Sequence, residues 1–273
     1  MNYRHAFHAG NFADLVKHAA LLQLLADARA EPAPLRVIDT HAGRGVYDLM
    51  SEEAQRSGEA AAGIGRLMDA QGAPAEFAPL IAAVKRLNGG GRTLRYPGSP
   101  WLVAEQLRPG DGYLGCELRG PEQAALGQAL RGRPGVETLC ADGFAVLAER
   151  CPKAGRVLVL IDPPFERADD YAQTAAAAAA ARRRNPAAQV LVWLPLKDLE
   201  TFDSFLRDLE AAAAGPLLVA ETRMRPLADP LRMNGCALVL VGDQTGLPAK
   251  VQAICGWVAE ALGEGGLARV YSL

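Results

Sequence analysis

Cysteine is scarce and poorly arranged for chemistry. Cys116, Cys140, Cys151, Cys236 and Cys255 are five, an odd number, and none stands in a C-x-x-C pair. That argues against a disulfide framework and a thiolate zinc site, and it fits reduced thiols in cytosol. No apolar run approaches the ~20 residues a membrane helix needs. Met1-Asn2-Tyr3-Arg4-His5 enters polar sequence directly, without the apolar stretch of a signal peptide. The expectation is a cytoplasmic protein with no membrane association. Lysine is rare too, 5 residues against 24 arginines, and the net charge is −2. This balance excludes a generally basic nucleic-acid coat protein but leaves room for a local basic face. The arginine excess accompanies abundant alanine, as GC-rich codon usage produces, so it is no sign of RNA binding. Two glycine signatures are also missing. Without G-x-G-x-x-G an NAD-dependent dehydrogenase is disfavoured, and without G-x-x-x-x-G-K-[ST] a P-loop is excluded.

What is present is a globular composition: 273 residues, half of them apolar and 22% charged. One large domain, or one domain with a sizeable insertion, follows from that length. Asn11 can cap an apolar-periodic helix running to about Ala30, where Pro32 and Pro34 stop it. Buried strands are expected at 35–39, 112–117, 136–140, 156–161, 189–194, 217–220, 236–241 and 267–271. Helical patterns lie between most of them, notably at 121–130, 171–183, 199–213 and 248–262. Alternating strands and helices predict a doubly wound α/β sheet with its ligand beyond the carboxyl ends of the strands. Residues 51–96 read differently, as a small helical insertion with no convincing strand. The core is then 1–50 and 97–273.

Four constellations carry chemistry. Asp39-Thr40-His41-Ala42-Gly43-Arg44-Gly45 follows a buried strand, where glycines let the backbone approach a ligand. Glu117 ends a later strand and offers two acceptors to the hydroxyls of a ribose. It stands 78 residues after Asp39 rather than roughly 20, and the insertion accounts for most of the difference. Asp142-Gly143 pairs an acid with a free N–H, a combination that reads an adenine edge. Asp162-Pro163-Pro164-Phe165 directly follows five aliphatic residues. Its prolines stiffen the chain and leave a carbonyl beside the aspartate, so two acceptors face an exocyclic amino group. Phe165 offers a face for a flat base. In this order the four resemble class I S-adenosylmethionine-dependent methyltransferases acting on amino groups of nucleobases.

The opening Tyr3-Arg4-His5-Ala6-Phe7-His8-Ala9-Gly10-Asn11, with Asp14, Lys17-His18, Tyr96-Pro97-Gly98-Ser99-Pro100 and Ala141-Asp142-Gly143-Phe144, resembles the RlmJ family. Those proteins are bacterial 23S rRNA (adenine-N(6))-methyltransferases, and the likeness runs over almost the whole chain. It implies a Rossmann-like class I methyltransferase core, predominantly parallel, carrying a small inserted helical subdomain. It implies S-adenosyl-L-methionine as cofactor, held by His18, His41, Gly43, Ser99, Glu117, Asp142, Gly143 and Asp162. Asp162, Pro163 and Phe165 form the catalytic set, and Tyr3, His5 and Lys17 lie near the target adenine or its flanking phosphates. The family's target is adenine 2030 of 23S rRNA, methylated on exposed RNA rather than on finished ribosomes. No obligate protein partner is implied. The chain departs from the family in having Phe165 where tyrosine is common and Phe12 where some members have histidine.

D-P-P-F by itself also suits DNA adenine, cytosine amino groups or a protein glutamine. A catalytically silent nucleotide-binding or DNA-uptake protein is the rival of another class, and the intact acids argue against it. The four histidines, His5, His8, His18 and His41, have no Cys or carboxylate partners at ligand spacing, so no metal is expected. Residues 81–108 carry Lys85, Arg86, Arg92, Arg95 and Arg108 against Glu105, a local +4 that could meet phosphates. Arg182-Arg183-Arg184 closes an alanine-rich helix, where positive charge suits the C-terminal dipole.

Overall fold

Val157, Leu158, Val159, Leu160 and Ile161 are all buried. A strand apolar on both sides settles where helices cover both faces of a sheet, and this one lies near the middle of an eight-stranded sheet in the computed structural model. The structure describes residues 4–167, 169–212, 214–227 and 233–273. Its strands are β1 (Leu35–Asp39), β2 (Val46–Asp48), β3 (Arg95–Pro97), β4 (Gly112–Cys116), β5 (Val136–Leu139), β6 (Arg156–Ile161), β7 (Gln189–Leu196), β8 (Leu217–Arg223), β9 (Gly235–Val241) and β10 (Leu267–Ser272). The main sheet has the order β10-β8-β9-β7-β6-β1-β4-β5. From β5 to β7 neighbours run parallel, whereas β9, β8 and β10 are joined antiparallel. The strand order reverses at β1, which pairs with β4 on one side and β6 on the other. That switch point is where a crevice opens beyond the carboxyl ends.

Period-two alternation divides the side chains between two layers. Leu158 and Leu160 belong to the core shared with α1 (Phe12–Ala30), while Val157, Val159 and Ile161 pack into the opposite core. α1 is buried nearly all round, because the sheet and later helices enclose it. Asn11 caps it, accepting Asp14 N–H at 3.0 Å.

The insertion contains α2 (Glu52–Ser57), a π-helical turn at Ala61–Gly65, α3 (Arg66–Asp69) and α4 (Ala78–Leu87). It also ends in a strand, which the sequence reading did not include. β3 pairs antiparallel with β2 and closes the neck. Three residues are too few for alternation to show, and the partner is far away in the chain. After α5 (Ser99–Ala104), α6 (Gly120–Ala129), α7 (Gly143–Arg150), α8 (Asp170–Arg184), α9 (Leu199–Ala211) and α10 (Leu247–Leu262) complete the two helical layers. Among the described residues no helix is long and apolar enough to cross a membrane.

The arginines at the end of α8 act as struts. Arg182 donates to the carbonyls of Ala214 and Ala188, and Arg184 to those of Cys151 and Glu149. The insertion is joined to the core by Phe77, fully buried, whose ring meets Trp257 of α10 edge-on at 5.1 Å. Gln23 of α1 adds a bond to the Glu76 carbonyl. Phe77→Ala should therefore cost about 3–5 kcal/mol, read as a lower urea midpoint with one transition retained. Two separate transitions would show an insertion that folds by itself.

Candidate active site

Parallel pairing in register brings the ends of four strands to one edge. Asp39 lies opposite Gly115 of β4 and Leu160 of β6, and Cys116 lies opposite Leu139 of β5. Just past these ends come the glycine turn, Glu117, Asp142 and Asp162. The turn is tied to its neighbours: Thr40 donates its N–H and hydroxyl to Leu160 O, and Ala42 N–H reaches Cys116 O. Glu117 takes Gly43 N–H on one oxygen at 3.1 Å and Arg119 N–H on the other at 2.8 Å. Gly43 has φ +62°, and a Cβ there would stand 2.3 Å from the Tyr47 hydroxyl. Asp142 caps α7, accepting from Phe144 and Ala145 N–H. At Gly143 a Cβ would be 1.9 Å from the Thr40 carbonyl oxygen. Backbone rests on backbone, and only glycine fits.

Asp162 is half-buried at the end of β6, and Lys17 of α1 reaches it with Nζ 2.5 Å from Oδ2. The same Nζ lies 3.1 Å from Asp14 Oδ1. Asp14 is buried and takes His5 Nε2 at 3.0 Å and Gly10 N–H at 2.9 Å on its other oxygen. Burial alone would raise the Asp14 carboxyl, but His5, Lys17 and His18 hold it well below the usual range. Lys17, Asp39, Ser99, Asp162 and Trp193 line a single crevice. His41 stands beside it, its ring edge-on to Phe144 at 5.0 Å, and burial lowers its pKa although Asp162 and Asp142 act the other way.

Two expected site residues are buried. His18 is 1% exposed, its Nδ1 bonded to the Tyr96 hydroxyl at 2.8 Å, and burial pushes its pKa down to about 3. It is a neutral packed histidine whose Nε2 lies 4.0 Å from Asp14 Oδ1. Phe165 is 6% exposed, and its ring packs on Tyr171 at 4.6 Å and faces Trp193 at 6.1 Å. Its backbone is left-handed at φ +50°, and its ring lies in the core, a direction that the residue types alone do not fix. Tyr3 lies outside the described residues.

Sequence likeness places the chain in a known family. The model described as ribosomal RNA large subunit methyltransferase D, RlmJ, matches residues 32–272. The chain belongs to this family. It is similar to ribosomal RNA large subunit methyltransferase J of Haemophilus influenzae, 34% identical over 96% of this chain and 94% of that protein. The protein of the same name from Escherichia coli is 31% identical over the same shares. Protein LPL1258 of Legionella pneumophila superposes with a TM-score of 0.88 at 28% identity, covering 97% of this chain and 98% of that one. The RlmJ family uses S-adenosylmethionine as methyl donor.

Two residues of this candidate site, Asp14 and Trp193, were not singled out as site residues by sequence. Asp14 has a visible signal, its i,i+3 spacing from Lys17. Trp193 read only as part of a strand. Asp39 is fully buried and accepts from the Ser99 and Tyr113 hydroxyls at 2.8 and 3.2 Å and from His41 N–H at 3.3 Å. Burial raises it to about 6, with Asp162 adding to the rise. A carboxylate raised on folding contributes stability below its unfolded pKa of about 3.9, and that contribution disappears as pH climbs through the folded value. The Tm of Asp39→Asn relative to the unaltered chain should thus rise between pH 4 and 7. Subtracting the two curves cancels Asp14, whose effect has the opposite sign. A constant difference across that range would mean that Asp39 does not titrate there.

Proposed function

We propose that the chain transfers a methyl group from S-adenosylmethionine to the exocyclic N6 of one adenine in 23S rRNA, of the adenine-2030 type, on exposed or protein-free RNA. The observation that supports this most is Asp162, held by Lys17 at the switch point of the sheet, directly after a buried strand and before two prolines.

The cleft suits the donor. Glu117 has both oxygens already fixed by backbone N–H groups, so each presents its remaining lone pairs in a set direction to vicinal hydroxyls. Gly43 and Gly143 leave no side chain where the turn and the start of α7 approach. Asp142 and its following N–H groups would meet the adenine edge of the donor, while His41 and Ser99 flank the path to Asp162. By family motif His18, packed beside Asp14, completes this set. When bound there, S-adenosylmethionine supplies an electrophilic methyl.

The chain's own residues do the rest. Asp162 and the Pro163 carbonyl accept the two hydrogens of the target amino group, which favours a tetrahedral nitrogen with an available lone pair. Positioning of that nitrogen in line with the methyl supplies much of the acceleration. Asp162 or water takes the proton released from nitrogen. Phe165 holds the loop from its core side, and its left-handed backbone is strain of the kind that gathers in functional loops. The target base must leave its stack, which costs least in single-stranded or loop RNA.

The test is methyl transfer from radiolabelled donor to protein-free 23S rRNA, with nucleoside digestion and mass analysis. One site of N(6)-methyladenosine is expected, and Asp162→Ala should lower turnover at saturating donor by at least about a hundredfold. Turnover near that of the unaltered chain would remove Asp162 from its role. Labelled DNA or protein with unlabelled RNA would move the activity to another amino-group substrate.

A further inference from the structure

The insertion grips the N-terminal segment just before α1. Glu59, between α2 and the π-helical turn, takes His8 Nδ1 on both oxygens, at 2.9 and 3.1 Å, and Asn11 Nδ2 at 2.9 Å. Ile64 N–H donates to Gly10 O at 2.8 Å. Gly63 lies flat against this stretch: a Cβ there would stand 2.1 Å from Gly10 O and 2.8 Å from Asn11 Cα. Gly10, at φ +79°, would reciprocally bring a Cβ to 2.8 Å from Ile64 Cγ2. The main chains meet with no side chain between them, and any residue larger than glycine would separate them.

Asn11 is the joint of the arrangement. Its amide nitrogen donates to Glu59, and its amide oxygen caps α1 through Asp14 N–H. Gly10 N–H, on the other side, binds the Asp14 carboxylate. Asp14 holds Lys17, and Lys17 holds Asp162. An unbroken series of polar contacts therefore runs from Glu59 in the insertion to the acid at the end of β6. The His8–Glu59 pair is too exposed to contribute much energy, so its contribution is geometric.

Of the basic residues of the insertion and its exit, Lys85 and Arg92 are exposed, while three others are engaged within the chain. Arg86 is paired with Glu105, Arg95 donates to the Leu87 carbonyl, and Arg108 is engaged by Asp111 and three backbone carbonyls.

We propose that Glu59 and Gly63 are positioning residues for methyl transfer: through them the insertion seats residues 8–11 and so fixes where Lys17 meets Asp162. This rests on Asp162 being the acceptor for the target amino group. A misplacement of about 1 Å in such a site can cost a hundredfold in rate.

The experiment compares the full chain with Glu59→Ala, Glu59→Gln and Gly63→Ala in methyl transfer to protein-free 23S rRNA. Hydrogen exchange of the peptides spanning residues 8–17 is read on the same proteins. Expected is a kcat lowered by about ten- to a hundredfold in Glu59→Ala and Gly63→Ala. The KM for RNA and for donor should stay within about twofold, and exchange at Gly10 and Asp14 should be faster. Glu59→Gln keeps an oxygen for Asn11 and should recover most of the rate. An unchanged kcat in Glu59→Ala overturns the proposal. So does a loss confined to the KM for RNA, which would make the insertion a binding surface. Should the unaltered chain transfer no methyl to RNA, the activity reading fails by itself. Hydrogen exchange then still decides, and exchange at Gly10 and Asp14 unaltered by Glu59→Ala overturns the positioning role.

Discussion

Lys17 lies between two carboxylates, Asp14 on its own helix and Asp162 at the end of a central strand. A cation this far inside the protein is tolerated only when paired, since removing one partner leaves a charge that burial penalises. The pairing therefore fixes the helix against the sheet edge at one place, and the candidate active site is built around that place. His5 and Gly10 reach the same Asp14, so the N-terminal segment is drawn to the cleft by the charge that holds Lys17.

The sheet supplies the other half of the frame. Parallel register aligns the ends of β1, β4, β5 and β6. Cross-strand bonds from Thr40 and Ala42 then hold the glycine turn between its neighbours. Gly143 matters because the start of α7 approaches the Thr40 backbone within a distance that a Cβ would block, and Gly43 because a Cβ there would meet the Tyr47 hydroxyl. Asp39 lies beneath this layer as a buried acceptor that orients Ser99, Tyr113 and the His41 N–H together. Its raised pKa is the cost of placing a carboxylate where water does not reach.

Much of this was legible beforehand. The eight main strands, α1 with its Asn11 cap and the helical character of the insertion all follow from periodicity and capping chemistry, which act over a few residues. The order of Asp39, Glu117, Asp142 and Asp162 was equally visible, because each follows an apolar run that could only be a buried strand. The β2–β3 pair was missed, since three-residue strands carry no periodic signal and their pairing is non-local. His18 and Phe165 were assigned to the cleft by motif, yet both side chains point into packed surroundings. Their directions depend on neighbours distant in sequence, Tyr96 in one case and Trp193 in the other.

The sequence by itself determined which segments become strands and helices, which acids end strands, and which family the chain resembles. Those properties depend on local patterns of apolar, glycine and proline residues, and on motifs carried whole. The tertiary structure alone decided that Lys17 meets Asp162 across 145 positions, that Asp39 is buried away from water, and that Glu59 reaches the cap of α1. Such contacts join elements through the packing of α1 against the sheet and of the insertion against α1. No local pattern encodes which distant charge will be the nearest once that packing is complete.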